Sequence, residues 1–303
     1  MAIPVIFDTD IGTDVDDILA LGVILGSPEL DLIGVTCVHA DVAVRSRMIR
    51  KVLGLRGRTD IPVHEGISES LMRFAPPYWA GWEGAGLLEP DEELSPGSPE
   101  HAVDFLVRAI NERPGEVHLI AVGPLTNVAV ALLRDPSLAG KLKHLTIMGG
   151  QIRHRAGIST ELVEHNIKLD PDAAHIVAVS GAPQTWIPLD VTTQVPVRQD
   201  GVDRILAGGT PYHAAIAGQI SAYPTFARTG ATWMHDPLAV AAVIRPDLVG
   251  LTPFRLDIEL DGRFTRGVTR FRNPDESVPA TVQAAETVEA EAAAQFICER
   301  IGS

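Results

Sequence analysis

The chain has 303 residues, 46% of them hydrophobic, enough to bury a large core within one domain spanning residues 1–303. Its 39 acidic residues against 25 basic ones give a formal charge of -14, a balance that repels phosphate backbones and anionic lipid and argues against nucleic-acid or membrane partners. Cys37 and Cys298, the two cysteines, are too few for a disulfide framework or a zinc motif, so a reducing, cytoplasmic setting is expected.

In chain order, Met1 to Phe7 is an apolar run too short for a signal peptide and without a basic flank. Within it, Pro4 to Phe7 reads as a buried strand. Through a cluster of aspartates it hands over to a helix from Asp16 to Leu25, with Ile18, Leu19, Leu21 and Leu25 on its apolar face. Leu32 to Val38 reads as a second strand and Val42 to Leu55 as a second helix. Phe74 to Glu100 breaks the pattern with proline, glycine and acidic residues around Tyr78, Trp79 and Trp82, and reads as a long surface loop that could serve as a lid. The strand-helix alternation returns at Val117 to Val122 and Leu125 to Leu133, then at Leu145 to Met148, Ala173 to Val179 and Gln184 to Pro188. Near the end, Phe254 to Leu260 and Arg263 to Phe271 flank Asp261-Gly262, which suits a tight hairpin turn, and Val288 to Ile301 reads as a helix. The expected fold is an α/β one: an open, mainly parallel sheet with helices on both faces and a Rossmann-like core, whose ligands bind beyond the carboxyl ends of the strands.

The segment Asp8-Thr9-Asp10-Ile11-Gly12-Thr13-Asp14-Val15-Asp16-Asp17 places five carboxylates within ten residues. If they converge in a partly dry cleft they repel one another, and a hard divalent cation is the natural counter-charge. An all-oxygen donor set favours calcium or magnesium over zinc. The alternative is a solvated turn whose aspartates cap the following helix. An EF-hand does not fit, because Gly12 falls one place early and an apolar helix stands where the distal glutamate belongs.

This segment resembles the opening D-x-D-x-G-x-D-D motif of the inosine-uridine-preferring nucleoside hydrolase family, aligned on Asp8, Asp10, Gly12 and Asp16-Asp17 with Asp14 and Val15 as an insertion. Further matches follow in family order: Gly34-Val35-Thr36 before Asp41, Gly123-Pro124-Leu125-Thr126-Asn127, Met148-Gly149-Gly150, Glu164-His165-Asn166-Ile167 before Asp170-Pro171, Leu189-Asp190-Val191-Thr192, His235-Asp236-Pro237-Leu238 and Thr265-Arg266-Gly267. The resemblance implies a nucleoside hydrolase-like fold and hydrolysis of the bond between ribose and base. It implies a Ca2+ ion held by Asp10, Asp17, Asp236 and the backbone carbonyl of Thr126, with Asp10 as the base that takes a proton from the attacking water. It assigns ribose contacts to Asp16, Asp41, Glu164 and Asn166, with Met148 beneath the sugar, and protonation of the leaving base to His235. Trp82 stands where some members carry another histidine, and Trp82, Trp79 or Trp233 could stack the base or pack the loop onto the core. Direct attack by water implies inversion at the anomeric carbon. Relatives of this kind imply a homodimer or homotetramer acting on a small-molecule ribonucleoside.

Taken residue by residue, Glu164 and Asn166 could simply cap or bridge elements, and Asp190 could support the site or begin a turn. Gly149-Gly150 is too short a pattern to mean phosphate binding, and Cys37 reads as a small buried hydrophobe. Two rival functions remain open at this point. One is a phosphatase of the haloacid-dehalogenase type with Asp8 as nucleophile, because a strand ending in D-x-D also opens that family. The other is a non-catalytic nucleoside or sugar binder.

Overall fold

The computed structural model describes residues 2–153, 161–277 and 279–303, so Met1 of the first apolar run lies outside the described residues. Among the described residues eleven strands follow in chain order: β1 (Ile3–Thr9), β2 (Leu30–Cys37), β3 (Val63–Glu65), β4 (His118–Ala121), β5 (His144–Met148), β6 (Gln184–Ile187), β7 (Pro196–Arg198), β8 (Ala231–Trp233), β9 (Val249–Ile258), β10 (Thr269–Arg272) and β11 (Val282–Val288). All but β7 and β8 join one nine-stranded sheet in the order β10-β9-β11-β6-β5-β4-β1-β2-β3. The body of this sheet is parallel, and β9 runs antiparallel to both of its neighbours, β10 and β11.

Helices cover both faces because the central strands are apolar on both sides. In β1, Val5 and Phe7 enter one core while Ile6 enters the other, as the two-residue period of a strand requires. One core is completed by helices Asp16–Leu25, Val42–Leu55, His235–Ile244 and Ala290–Ile301, and the opposite one by Ala102–Glu112, Thr126–Arg134 and Pro171–Ala178. The chain leaves β1 toward β2 on one side and places β4 on the other, so strand order reverses at β1. Asp8 lies level with Thr36 of β2 and Ala121 of β4, and the carboxyl ends of these strands open the crevice where such sheets take ligands.

The expected strands and helices up to residue 188 appear, with Asp16–Leu25 and Val42–Leu55 reproduced at both ends. Two expectations near the C-terminus need correction. Val288 closes β11 rather than opening the last helix, which begins at Ala290. Ala284 and Ala285 make β11 look helical in sequence, but they are fully buried in a strand inserted between β6 and β9, where tertiary burial overrides local preference. The β9-β10 hairpin exists, but Asp261-Gly262 is not its two-residue turn. The ladder starts at Ile258↔Thr269, and residues 259–268 form a wider loop. There the Glu259 carboxylate accepts the Asp261 and Gly262 amides (2.7 and 3.0 Å). Positive φ falls at Gly267, not at Gly262, so the backbone lacks the two left-handed residues of the tight turn.

Helix Ala102–Glu112 approaches β2 so closely that a Cβ on Gly34 would lie 2.3 Å from the Phe105 ring. Gly34→Ala is therefore expected to lower stability in chemical denaturation by about 1–3 kcal/mol through overpacking. Gly54→Ala, in helix Val42–Leu55 with nothing within 4 Å of the added carbon, is expected to be neutral or stabilising. Equal effects at the two positions would contradict this packing.

Candidate active site

Beyond the carboxyl ends of β1 and β4 lies a cavity of about 440 Å³. Its floor is built by Asp10, Asp16 and Asp17 from the turn and helix after β1, Glu164 and Asn166 from the segment after β5, and His235 and Asp236 from the helix after β8. Its mouth carries Tyr78, Trp82, His165 and Trp233. The reading of the motif as a solvated capping turn does not hold: Asp8, Asp10, Asp16, Asp17 and Asp236 are at most 5% exposed, and the cap position before helix Asp16–Leu25 is Val15, with no side-chain cap bond.

Each acid of the motif has its own surroundings. Asp8 is sealed inside the sheet, where Oδ2 accepts the Thr36 hydroxyl (2.5 Å) and the Asn127 amide (2.9 Å). Burial pushes its carboxyl up to about 7. It does not line the cavity, so no substrate phosphate can reach it as a nucleophile, and the phosphatase reading fails on geometry. Asp14 accepts the Tyr223 hydroxyl at 2.7 Å and the Val15 amide at 2.5 Å, so the two-residue insertion ties the motif to helix Pro211–Ala222 and its following turn. Gly12 has φ of 118°, and a Cβ there would lie 2.8 Å from Met48 Sδ, so only glycine carries the turn past this side chain.

Asp16, Asp17 and Asp236 bring carboxylate oxygens within 4.8 Å of one another, the one such acid group among the described residues with metal-ligand geometry. Asp16 Oδ2 also accepts the Asp236 backbone N–H at 3.3 Å, and the Thr9 hydroxyl donates to Asp17. Burial first, and mutual repulsion second, hold the carboxyls of Asp16, Asp17 and Asp236 well above the usual range. Two helices begin at this cluster, Asp16–Leu25 and His235–Ile244, and their N-termini favour negative charge by only a fraction of the repulsion. Such a group is suited to a hard cation. Of the expected metal ligands, Asp17 and Asp236 belong to this triad and Asp10 lines the same cavity, and Asp16, expected to hold ribose, joins the triad. Thr126 is buried at the start of helix Thr126–Arg134, where its hydroxyl donates to Asp170 at 2.7 Å.

The remaining expected contacts divide. Met148, Glu164, Asn166, His235, Trp82 and Trp233 all line the cavity. The Glu164 carboxylate accepts the amides of Asn166 (2.9 Å), Gly150 (3.2 Å) and Ile167 (3.2 Å), so it caps helix His165–Leu169 and faces the cavity at once. The Asn166 side-chain amide donates to the Val122 carbonyl at 2.6 Å. His235 shares a hydrogen bond between Nδ1 and the Thr192 hydroxyl at 2.7 Å, and burial pushes its imidazole down to about 4. Asp190 accepts the amides of Ile152 and Arg153 (2.7 and 2.9 Å) and so holds the loop after β5. Asp41, expected to contact ribose, is exposed and caps helix Val42–Leu55, its Oδ1 accepting the Val44 amide at 3.0 Å, and it does not line the cavity. Trp79 lies against the Arg45 guanidinium, 5.2 Å from its ring centre, instead of lining the cavity.

Arg45 was not among the residues expected from sequence. It is fully buried. Its guanidinium donates to the Asp10, Ile11 (2.7 Å) and His39 (2.8 Å) carbonyls and to the Thr13 hydroxyl (3.2 Å), which makes it the pin of the aspartate turn and a positive charge beside Asp17. A four-residue helical spacing from Asp41 was the available signal, but an arginine on a helix reads as solvated by default. Arg45→Met is expected to cost roughly 3 kcal/mol or more of stability, because buried carbonyls lose charged donors. Denaturant unfolding checks it, and a loss below about 1 kcal/mol would contradict the pinning role.

A family model for the inosine-uridine preferring nucleoside hydrolase matches residues 5–295. The chain is 34% identical over 282 residues to a pyrimidine-specific ribonucleoside hydrolase RihA of Citrobacter koseri, covering 89% of this chain and 88% of that one. Among solved structures, the plant nucleoside hydrolase PpNRh1 superposes with a TM-score of 0.86 at 29% identity and full coverage of both chains. A purine-preferring ribonucleoside hydrolase from Gardnerella vaginalis superposes with a TM-score of 0.86 at 31% identity, covering 99% of this chain and 98% of its own.

Proposed function

The chain belongs to the inosine-uridine preferring nucleoside hydrolase family and is accordingly an N-glycosidase of nucleosides, and we propose that the cavity above β1 and β4 splits ribonucleosides into ribose and free base with a calcium ion at its floor. The observation that carries this reading is the buried triad Asp16, Asp17 and Asp236, facing the same cavity as Asp10, Glu164 and Asn166.

The donor set is all oxygen, and its crowded, raised carboxyls are the condition a divalent cation relieves, so the residues fit the group. Asp10, Asp17, Asp236 and the Thr126 carbonyl would hold it, with Asp16 close enough to join them. When bound, the ion supplies charge that orients the ribose hydroxyls and sharpens the nucleophilicity of water. Asp10 accepts the proton of a water that attacks the anomeric carbon from the floor. Glu164 and Asn166, locked by backbone hydrogen bonds, hold the sugar against Met148. The carboxylates around the sugar favour the positive charge that develops as the glycosidic bond stretches. Trp82 and Trp233 present exposed rings at the mouth and frame the base. His235, held at Nδ1 by the Thr192 hydroxyl and lining the same cavity, protonates the departing base.

The pyrimidine-specific and the purine-preferring relatives are about equally similar to this chain, so the test uses inosine, adenosine, guanosine, uridine and cytidine together. At least one should release free ribose, and the first sugar detected by proton NMR should be the inverted α-anomer. Asp10→Asn should lower kcat by roughly a thousandfold with little change in melting temperature. Release of ribose at the wild-type rate by this variant, or a retained β-anomer, would contradict the mechanism.

A further inference from the structure

We propose that Tyr78 selects the base by hydrogen-bonding its far edge and that His39 positions Tyr78 to do so, an assignment that rests on the nucleoside hydrolase reading above. The carboxylates that grip the sugar lie at the bottom of the cavity, so the base projects toward Tyr78, Trp82 and Trp233. The edge of the base farthest from the glycosidic bond then faces the mouth. That edge carries the 6-substituent of a purine or the 4-substituent of a pyrimidine. Indole rings stack on the π-face that every base has, so Trp82 and Trp233 hold a base without telling one from another. A phenol hydroxyl does discriminate, because it donates and accepts in fixed directions. The Tyr78 hydroxyl has no hydrogen-bond partner among the described residues, and the residue lines the cavity while 46% exposed.

Although it belongs to a long loop, Tyr78 is fixed from three directions. Its backbone amide donates to His39 Nε2 at 3.1 Å. Its ring meets His165 edge-on, with centroids 5.5 Å apart at 82°, and His165 opens the short helix whose neighbours Glu164 and Asn166 face the floor. On its C-terminal side, Trp79 lies against Arg45, and the Glu83 carboxylate accepts the Ala80 and Gly81 amides, both at 2.7 Å.

His39 reaches this contact through strained backbone. It lies just beyond β2 and is 5% exposed. His39 and Ala40 have φ of 70° and 56°, a left-handed conformation that is costly for residues with a side chain. Hydrogen bonds hold them in it: the His39 amide donates to the Ile67 carbonyl and the Ala40 amide to the Ser68 carbonyl, both at 2.8 Å, and Arg45 Nε donates to the His39 carbonyl at 2.8 Å. Burial pushes the imidazole down to about 4, so the ring is uncharged at neutral pH. With Nε2 accepting from Tyr78, its proton resides on Nδ1. The chain thus bends sharply after β2 to offer one acceptor to the loop at the mouth.

The test measures kcat/KM of the wild type, Tyr78→Phe, His39→Asn and the double variant on matched substrates. Inosine and adenosine are compared with purine riboside, which lacks the 6-substituent, and uridine and cytidine with the 2-pyrimidinone riboside, which lacks the 4-substituent. Asparagine tolerates the left-handed backbone but is too short to reach the Tyr78 amide. Within the series that is cleaved, preference for the substituted base should fall roughly tenfold in Tyr78→Phe. It should fall severalfold in His39→Asn, and no further in the double variant than in Tyr78→Phe. An unchanged preference in Tyr78→Phe, with both substrates slowed equally or neither slowed, would overturn the base contact. An unchanged preference in His39→Asn, or losses that multiply in the double variant, would overturn the positioning role of His39. A wild type that releases sugar from none of these nucleosides would instead overturn the nucleoside hydrolase reading itself, and this assignment with it.

Discussion

Carboxylates enclosed together by protein repel one another, and no arrangement of the surrounding chain removes that repulsion without a positive counter-charge. The structure accepts this constraint at the end of its first strand. Asp16 and Asp17 come from one helix, and Asp236 arrives from another 220 residues later. Helix N-termini, the Thr9 hydroxyl and the buried Arg45 each lend partial compensation. Their sum leaves the carboxyls well above their usual range, which marks the cluster as a receptor for a cation and not as a structural network complete in itself.

The rest of the site follows from where the fold puts this cluster. Strand order reverses at β1, so the chain opens a crevice there without any residue being dedicated to making it. The acids of a single motif then separate by depth. Asp8 knits β1 to Thr36 and Asn127 inside the sheet, whereas Asp10, Asp14, Asp16 and Asp17 face the cavity, Asp14 while it holds Tyr223. The long segment between β3 and helix Ala102–Glu112 is fastened to the same turn, because Glu83 accepts the Thr13 hydroxyl at 3.2 Å and the Trp82 indole donates to the Thr13 carbonyl at 3.1 Å. Floor and mouth thus share one anchor, and among the described residues no helix is long and apolar enough to cross a membrane.

Much of this was legible in the sequence where a pattern has one physical cause. Apolar runs between turn residues announced β1, β2, β4, β5 and β6, and the helical stripe of Val42–Leu55 announced its helix. The acids of the motif were readable as a cluster because their number alone demands an explanation. What stayed hidden depends on partners distant in the chain. β11 carries alanines that suit a helix until two neighbouring strands enclose them. Helix Pro211–Ala222 buries Tyr212, Ile216 and Ile220 at four-residue spacing, a stripe blurred in sequence by the alanines and glycine on its other sides. Asp41 caps a helix with one carboxylate oxygen, a contact its place in the motif order does not show. Arg45 looked like an ordinary surface residue, and only the approach of the aspartate turn gives it a role.

If the buried acid triad exists to bind one hard cation, isothermal titration of calcium into chelator-treated, dialysed protein shows it most directly, with Asp17→Asn and Asp236→Asn measured alongside. One ion should bind per chain of the wild type, and affinity should be lost in both variants. Absence of binding to the wild type, or an unchanged titration in the variants, would contradict a cation-receptor role for the triad.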